Sequence, residues 1–200
     1  MKKINATFHN QTQSKAGLLC IADISGFTRF VRNTDLESGS SIIQALMKAI
    51  IDSNTLGLQV SEIEGDAVFF YKFGIPPSAD GILEQFEKML DAFHQNLQKI
   101  NQGREIPFKL ELKLIVHYGE ISEYQLAGFR KLYGQSVVEV HRLLKGAVQH
   151  SQYALITDDY VKNSGSEINP TNLHRQCKVL KALRKLCYNF FPYQEAYAFS

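Results

Sequence analysis

Apolar positions change period along this chain, and each change marks an element. Leu18-Leu19-Cys20-Ile21 is a short continuous apolar run that reads as a core strand. Ile42, Ile43, Leu46, Met47, Ile50 and Ile51 recur at helical spacing behind Thr34-Asp35-Leu36-Glu37, which has capping-box spacing. That pattern predicts an amphipathic helix to about Asn54. Leu58 to Tyr71 then gives two apolar runs around Gly65-Asp66, a hairpin signal. Behind Pro76-Pro77-Ser78, the stripe Ile82, Leu83, Phe86, Met89, Leu90, Phe93, Leu97 and Ile100 predicts a second helix, stopped at Asn101-Gln102-Gly103.

From Phe108 to Val116 the period falls to two: Phe108, Leu110, Leu112, Leu114 and Val116 alternate with Lys109, Glu111, Lys113 and Ile115. This is a half-buried strand with one wetter face. A further strand and a helix from about Gln135 to Gly146 follow, and Tyr153-Ala154-Leu155-Ile156-Thr157 reads as a last core strand entering a short helix at Asp158. The order strand, helices, hairpin, helix, strand, strand, helix is that of a ferredoxin-like α+β core, with helices over one face of a largely antiparallel sheet. Leu180, Leu183 and Leu186 with Cys187 predict a C-terminal helix packed on that core, its lysines left in water.

Two hundred residues suit one domain, divided here into a loose lead-in at 1–16, a core at 17–145 and an extension at 146–200. A net charge of +2 gives no global attraction to nucleic acid or anionic membrane. No stretch reaches the ~20 apolar residues of a membrane helix. The first ten residues lack the apolar segment of a secretory signal. The odd set Cys20, Cys177 and Cys187 has no metal-ligand spacing and predicts reduced thiols in a cytoplasmic protein.

Candidate chemistry concentrates in two short pieces. Ala22-Asp23-Ile24-Ser25-Gly26-Phe27-Thr28 and Glu64-Gly65-Asp66-Ala67-Val68 each set an aspartate at a strand edge beside a glycine. If the strands pair, both carboxylates reach one end of one sheet, where hard divalent cations that also hold phosphates can bind. An aspartate at a strand end is also an ordinary turn former or helix cap. His117 at a strand end reads as a structural hydrogen-bonder, and neither it nor Glu120 joins a metal triad in sequence. Phosphate-loop, dinucleotide-fingerprint and nucleophile-elbow motifs do not occur.

These pieces, with His117-Tyr118-Gly119-Glu120 and Gly134-Gln135-Ser136-Val137-Val138-Glu139-Val140-His141-Arg142-Leu143, resemble four segments of the class III adenylate/guanylate cyclase catalytic domain. They stand in the family's order over residues 17–145, and their wording is most similar to a divergent, uncharacterised bacterial branch. The resemblance implies a class III nucleotide cyclase-like α+β sheet fold and a homodimer whose sites draw on both chains. It implies two Mg²⁺ or Mn²⁺ ions held by Asp23, Asp66 and the Ile24 carbonyl, one activating a ribose 3′-hydroxyl and one holding the triphosphate. Arg142 would reach in trans to the transition-state phosphate, a role for which guanidinium is suited. The base-reading positions fall on Glu62 and Lys131. Glu62 could accept from guanine N1 and N2; Lys131 matches neither family pattern, and the two could instead pair across the pocket. A triphosphate lysine would be Lys178 or Lys181.

One departure stands out. The family's transition-state asparagine falls at Val138, here expected to be buried, which donates no hydrogen bond. Two readings therefore remain open: a divergent nucleotidyl cyclase releasing a 3′,5′-cyclic nucleotide and pyrophosphate, or a degenerate nucleotide- or metal-binding module of the same fold. A nucleic-acid or membrane binder working through the basic segment 174–186 is a third reading, supported by local charge alone.

Overall fold

The computed structural model describes residues 13–146, 150–167 and 174–193. Among these the chain forms β1 (Lys15–Ser25), α1 (Phe27–Arg32), α2 (Leu36–Asp52), β2 (Gln59–Glu64), β3 (Ala67–Phe73), α3 (Ala79–Asn101), β4 (Glu111–Leu126), β5 (Phe129–Tyr133), α4 (Gln135–Leu144), β6 (Tyr153–Thr157), α5 (Asp158–Ser164), β7 (His174–Val179) and β8 (Lys185–Pro192). The strand order is β2-β3-β1-β4-β6-β8-β7, with β5 paired to β4. Its first four strands pair with one another antiparallel, which is the ferredoxin-like core; β6 joins β4 in parallel and carries the sheet on to the C-terminal hairpin.

Alternation along β1 explains the layering. Leu18, Cys20, Ala22 and Ile24 face α2 and α3 through Leu46, Ile50, Phe86 and Phe93, while Leu19 and Ile21 face Val140 and Leu143 of α4. Apolar burial on both faces makes β1 the centre of the molecule. Helices therefore cover both faces, not one as the pattern suggested, because α4 crosses behind the strands that α2 and α3 cover in front. The two long helices begin where side-chain caps allow: Asp35 accepts from the Ser38 amide at 2.8 Å and Ser78 from the Gly81 amide at 3.1 Å. The first cap is thus Asp35, not Thr34, whose hydroxyl donates back to the Phe30 carbonyl.

Other expectations give way in the C-terminal third. The lead-in expected at 1–16 overlaps β1, which starts at Lys15; residues 1–12 lie outside the described set. The helix expected from Leu180, Leu183 and Leu186 is instead the β7–β8 hairpin, its turn made at Ala182 with φ of 64°. That register sets Cys177 opposite Cys187, and the two are joined as a disulfide, against the expectation of reduced thiols. Cys20 alone is a free, buried thiol, which burial makes harder to ionise.

Candidate active site

The two aspartates meet through the main chain. β1 pairs with β3 so that Asp23 lies opposite Ala67, and the Ile24 amide donates to the Asp66 carbonyl at 2.9 Å. Gly26 lets the chain leave at once: its φ is 89°, and a Cβ there would meet the Lys109 carbonyl oxygen at 2.7 Å. Asp66 follows Gly65 at the hairpin tip. Burial, and then the negative charge of Asp23, hold the Asp66 carboxyl above its ordinary range, while its own amide and Lys113 pull the other way.

Lys113 is the residue that the sequence pattern missed. It stands opposite Asp23 in the β1–β4 register, and its Nζ pairs with Asp23 Oδ2 at 2.9 Å. Alternation marks it only as a wet-face residue; its partner lies ninety residues earlier, beyond any local pattern. Two carboxylates against one ammonium leave this corner short of positive charge. The donors are hard oxygens, which fit a Mg²⁺-like ion that takes few protein ligands and completes its shell with phosphate and water. No group of three or more histidine, cysteine, aspartate or glutamate side chains among the described residues is placed to hold a metal ion, so the fit is to an ion shared with a ligand, not to a protein-only cage.

Glu62 and Lys131 are brought together in a direct ion pair, and that contact raises the lysine's pKa. It spans from β2 to β5, because the β4–β5 arm folds back over the sheet. The arm is tied down by the Tyr71 hydroxyl, which donates to Glu123 Oε2 at 2.7 Å, and by Arg130 beside Glu123.

The third and fourth motif segments pack on each other. Helix α4 starts against β4 so closely that a Cβ on Gly119 would fall 2.1 Å from Ser136 Oγ. His117 is buried as a hydrogen-bonder, with Nδ1 against Thr157 Oγ1 and Nε2 against Glu139 Oε2, both at 3.0 Å. Arg142 is exposed on α4 and makes no hydrogen bond or ion pair with a described residue. Val138, four residues earlier on the same face, is 45% exposed; the expectation of a buried valine is wrong, because Val140 and Leu143 take the inward positions. Within one chain Arg142 thus pairs with neither aspartate. Of the two lysines considered for phosphate, Lys178 caps α4 by donating to the Gly146 carbonyl at 2.9 Å, and Lys181 is exposed in the hairpin turn.

Beside the Asp66 turn lies a groove of about 870 Å³ between α1, α2 and the hairpin tip, lined by Phe27, Phe30, Ile43, Met47, Ile63 and Gly65. Its apolar walls do not suit a triphosphate. No described helix is long and apolar enough to cross a membrane.

Comparison with known proteins adds three findings. The profile of a family described as "Protein of unknown function (DUF2652)" matches residues 43–153. An uncharacterized protein of Mycobacterium tuberculosis is 29% identical over 120 residues, 56% of either chain, so the chain spans about half the length of that curated relative. Among solved structures, the guanylyl cyclase Cya2 superposes with a TM-score of 0.70 at 14% identity, over 94% of this chain and 97% of that one. The adenylyl cyclase CyaB from P. aeruginosa gives 0.65 at 16% identity, over 92% and 98%. The guanylate cyclase domain of RhGC from Catenaria anguillulae, in complex with GTP, gives 0.57 at 13% identity, over 91% and 100%. At such identities the likeness shows the fold, which is that of the class III nucleotide cyclase catalytic domains.

Proposed function

This chain belongs to the DUF2652 family, whose description assigns no activity, and we propose that it is a nucleoside triphosphate-binding module of the class III cyclase fold that holds its ligand through a divalent cation and turns it over slowly or not at all. The observation that carries this is the Asp23–Asp66 corner, pinned by the Ile24 amide and undersupplied with positive charge. Asp23, Asp66 and the Ile24 carbonyl would hold Mg²⁺ or Mn²⁺, which when bound supplies charge neutralisation to the triphosphate. Lys113 adds a cation that can exchange Asp23 for a phosphate oxygen and so stay paired when the metal takes the carboxylate. The Glu62–Lys131 pair offers one acceptor and one donor, the complement of guanine's N1–H, N2–H and O6 edge, so GTP is the first nucleotide to test.

Turnover is argued down by two features. Val138 supplies no hydrogen bond where charge would develop, and loss of one preorganised donor costs about 10²–10³ in rate. Glu62 and Lys131 must also part before a base can enter. The active-cyclase reading keeps one argument, which is Arg142 on the outer face of α4. A two-fold dimer would direct it to the partner's aspartates, and the exposed Tyr124, Leu126, Phe129 and Tyr133 of the arm offer apolar surface for such pairing.

The test is calorimetry of GTP, ATP, CTP and UTP with Mn²⁺, followed by chromatography for cyclic products. Binding that requires Mn²⁺ and weakens at least about tenfold in Asp66→Ala is expected. Absence of binding by all four nucleotides would sink the proposal. A rate of about 1–10³ s⁻¹ would instead make the chain a working cyclase.

A further inference from the structure

The β7–β8 hairpin grips helix α4 at two points. From β7, Lys178 donates to the Gly146 carbonyl at 2.9 Å, just past the helix end. From the hairpin turn, Arg184 reaches the inward face of α4 and binds Glu139 with both arms of its guanidinium, Nε to Oε1 at 2.7 Å and Nη2 to Oε2 at 2.9 Å. Glu139 is 1% exposed, and Gln135 Nε2 at 2.8 Å and His117 Nε2 at 3.0 Å complete its donors. Arg184 Nη2 is itself steadied by Asp159 at 2.6 Å. Burial pushes the Glu139 carboxyl up, but Arg184, His117 and Gln135 outweigh it and hold it well below the usual range.

Both grips lie within the loop that the disulfide closes, on its turn side. Cys177 precedes Lys178 on one strand, Cys187 follows Arg184 by three residues on the other, and the sulfurs are bonded across the pair. β7 is an edge strand, Cys177 is exposed and Cys187 half-buried, so a reductant in solution can reach the bond. Helix α4 in turn presents Val138 and Arg142 outward, one residue before and three after Glu139.

We propose that the Glu139–Arg184 bridge is a positioning clamp on α4, and that the Cys177–Cys187 disulfide determines whether the clamp is closed. Reduction by a dithiol breaks the S–S bond. Two electrons and two protons pass to Cys177 and Cys187, which end as thiols, and the reductant ends as its own disulfide. Freed of the staple, the two strands no longer hold Lys178 and Arg184 at a fixed spacing, and α4 gains freedom at both grips together. Arg184 and Glu139 are positioning residues: they touch no ligand and act through where α4 carries Arg142. The consequence for nucleotide affinity rests on the proposed function; the consequence for α4 does not.

The experiment measures amide exchange across residues 135–144, together with GTP affinity in Mn²⁺, on the oxidised protein and after reduction with a phosphine. Reduction is expected to speed exchange in this helix by about tenfold or more and to weaken GTP binding about fivefold. Arg184→Met should show both changes while oxidised and respond no further to reduction, and Arg184→Lys should recover part of each. Exchange that rises only at 174–192 and stays fixed at 135–144 would overturn the clamp, and that measurement on the wild-type chain needs no variant to fold. If GTP binds in neither state, the nucleotide reading fails, and the exchange at 135–144 alone decides the clamp.

Discussion

Asp66 and Glu139 are both carboxylates drawn partly out of water, yet they are held in opposite electrostatic states. Glu139 receives Arg184, His117 and Gln135 and titrates below its ordinary range despite burial. Asp66 is drawn from water and sits against Asp23, with its own amide and Lys113 as the offsets, and titrates above. A carboxylate with its full set of donors has no capacity left for a ligand; its worth is in fixing the elements that supply those donors. A carboxylate short of positive charge is open to a cation that would complete it. By this contrast Glu139 is a structural carboxylate and the Asp66 corner is the proposed binding site, although both are built from motif segments of one fold.

The strongest way to break this contrast is to remove each carboxylate in turn. Glu139→Ala strips buried His117 of its carboxylate partner and Arg184 of its bidentate acceptor, and losing hydrogen bonds to a buried charged group costs about 3 kcal/mol. Chemical denaturation should show that loss, and a change under about 1 kcal/mol would mean that the network is slack. Asp66→Asn should leave stability within about 0.5 kcal/mol or raise it, because it relieves repulsion with Asp23, while abolishing Mn²⁺-dependent nucleotide binding in calorimetry. An equal stability loss in both variants would erase the distinction.

Reduction of the disulfide is the next effect in size. Closing a short hairpin loop between Cys177 and Cys187, separated by 10 in sequence, restricts the unfolded chain and contributes about 2–3 kcal/mol in the chain-entropy account. Denaturant midpoints with and without reductant measure it directly. A drop well below about 1 kcal/mol would mean that the hairpin is held by its packing through Leu180, Leu186 and Tyr188 instead.

Acidity separates the two carboxylates by sign. The folded pKa of Glu139 lies below its ordinary 4.5, so its stabilisation is present above that pH and is lost as pH falls through and beneath it. The folded pKa of Asp66 lies above its ordinary 3.8, so its ionisation opposes folding, and protonating it on the way down from the raised value returns a little stability. Stability measured from pH 7 downward should therefore fall less steeply in Glu139→Gln and more steeply in Asp66→Asn than in the wild type. Slopes that change the same way in both would refute the assignment of opposite states.

What the sequence disclosed follows the reach of each interaction. Asp23 and Asp66 were legible because each sits beside a glycine at the end of its own strand, and the convergence needs only that the two strands pair. The element order through α4 was legible for the same reason, since period and cap are local. Glu139 was not: as one charge on a helix it reads as solvated, and Arg184, which decides otherwise, lies forty-five residues on. The C-terminal hairpin was hidden by chemistry as well as distance. Leucines at 180, 183 and 186 mimic a helical stripe, and the turn is made by Ala182 at positive φ, where a glycine or asparagine would have marked it. Once the turn was missed, nothing in the spacing could set Cys177 opposite Cys187.

The smallest expected effect on stability is the sharpest test of α4 as a catalytic surface. Val138 is 45% exposed and shares its face with Arg142, so Val138→Asn changes little that is packed and should alter stability by no more than about 0.5 kcal/mol. It restores a hydrogen-bond donor beside the guanidinium, and any cyclisation of GTP should rise by about tenfold or more, up to the 10²–10³ that one preorganised donor is worth. The gain should vanish in Val138→Asn combined with Arg142→Ala, because the two groups would act on the same developing charge. A stability loss above about 1 kcal/mol would place Val138 at a closed subunit interface, which sedimentation would show as a dimer that the variant weakens. Unchanged stability with no gain in product would leave α4 as a framework element and the site as one that binds without turning over.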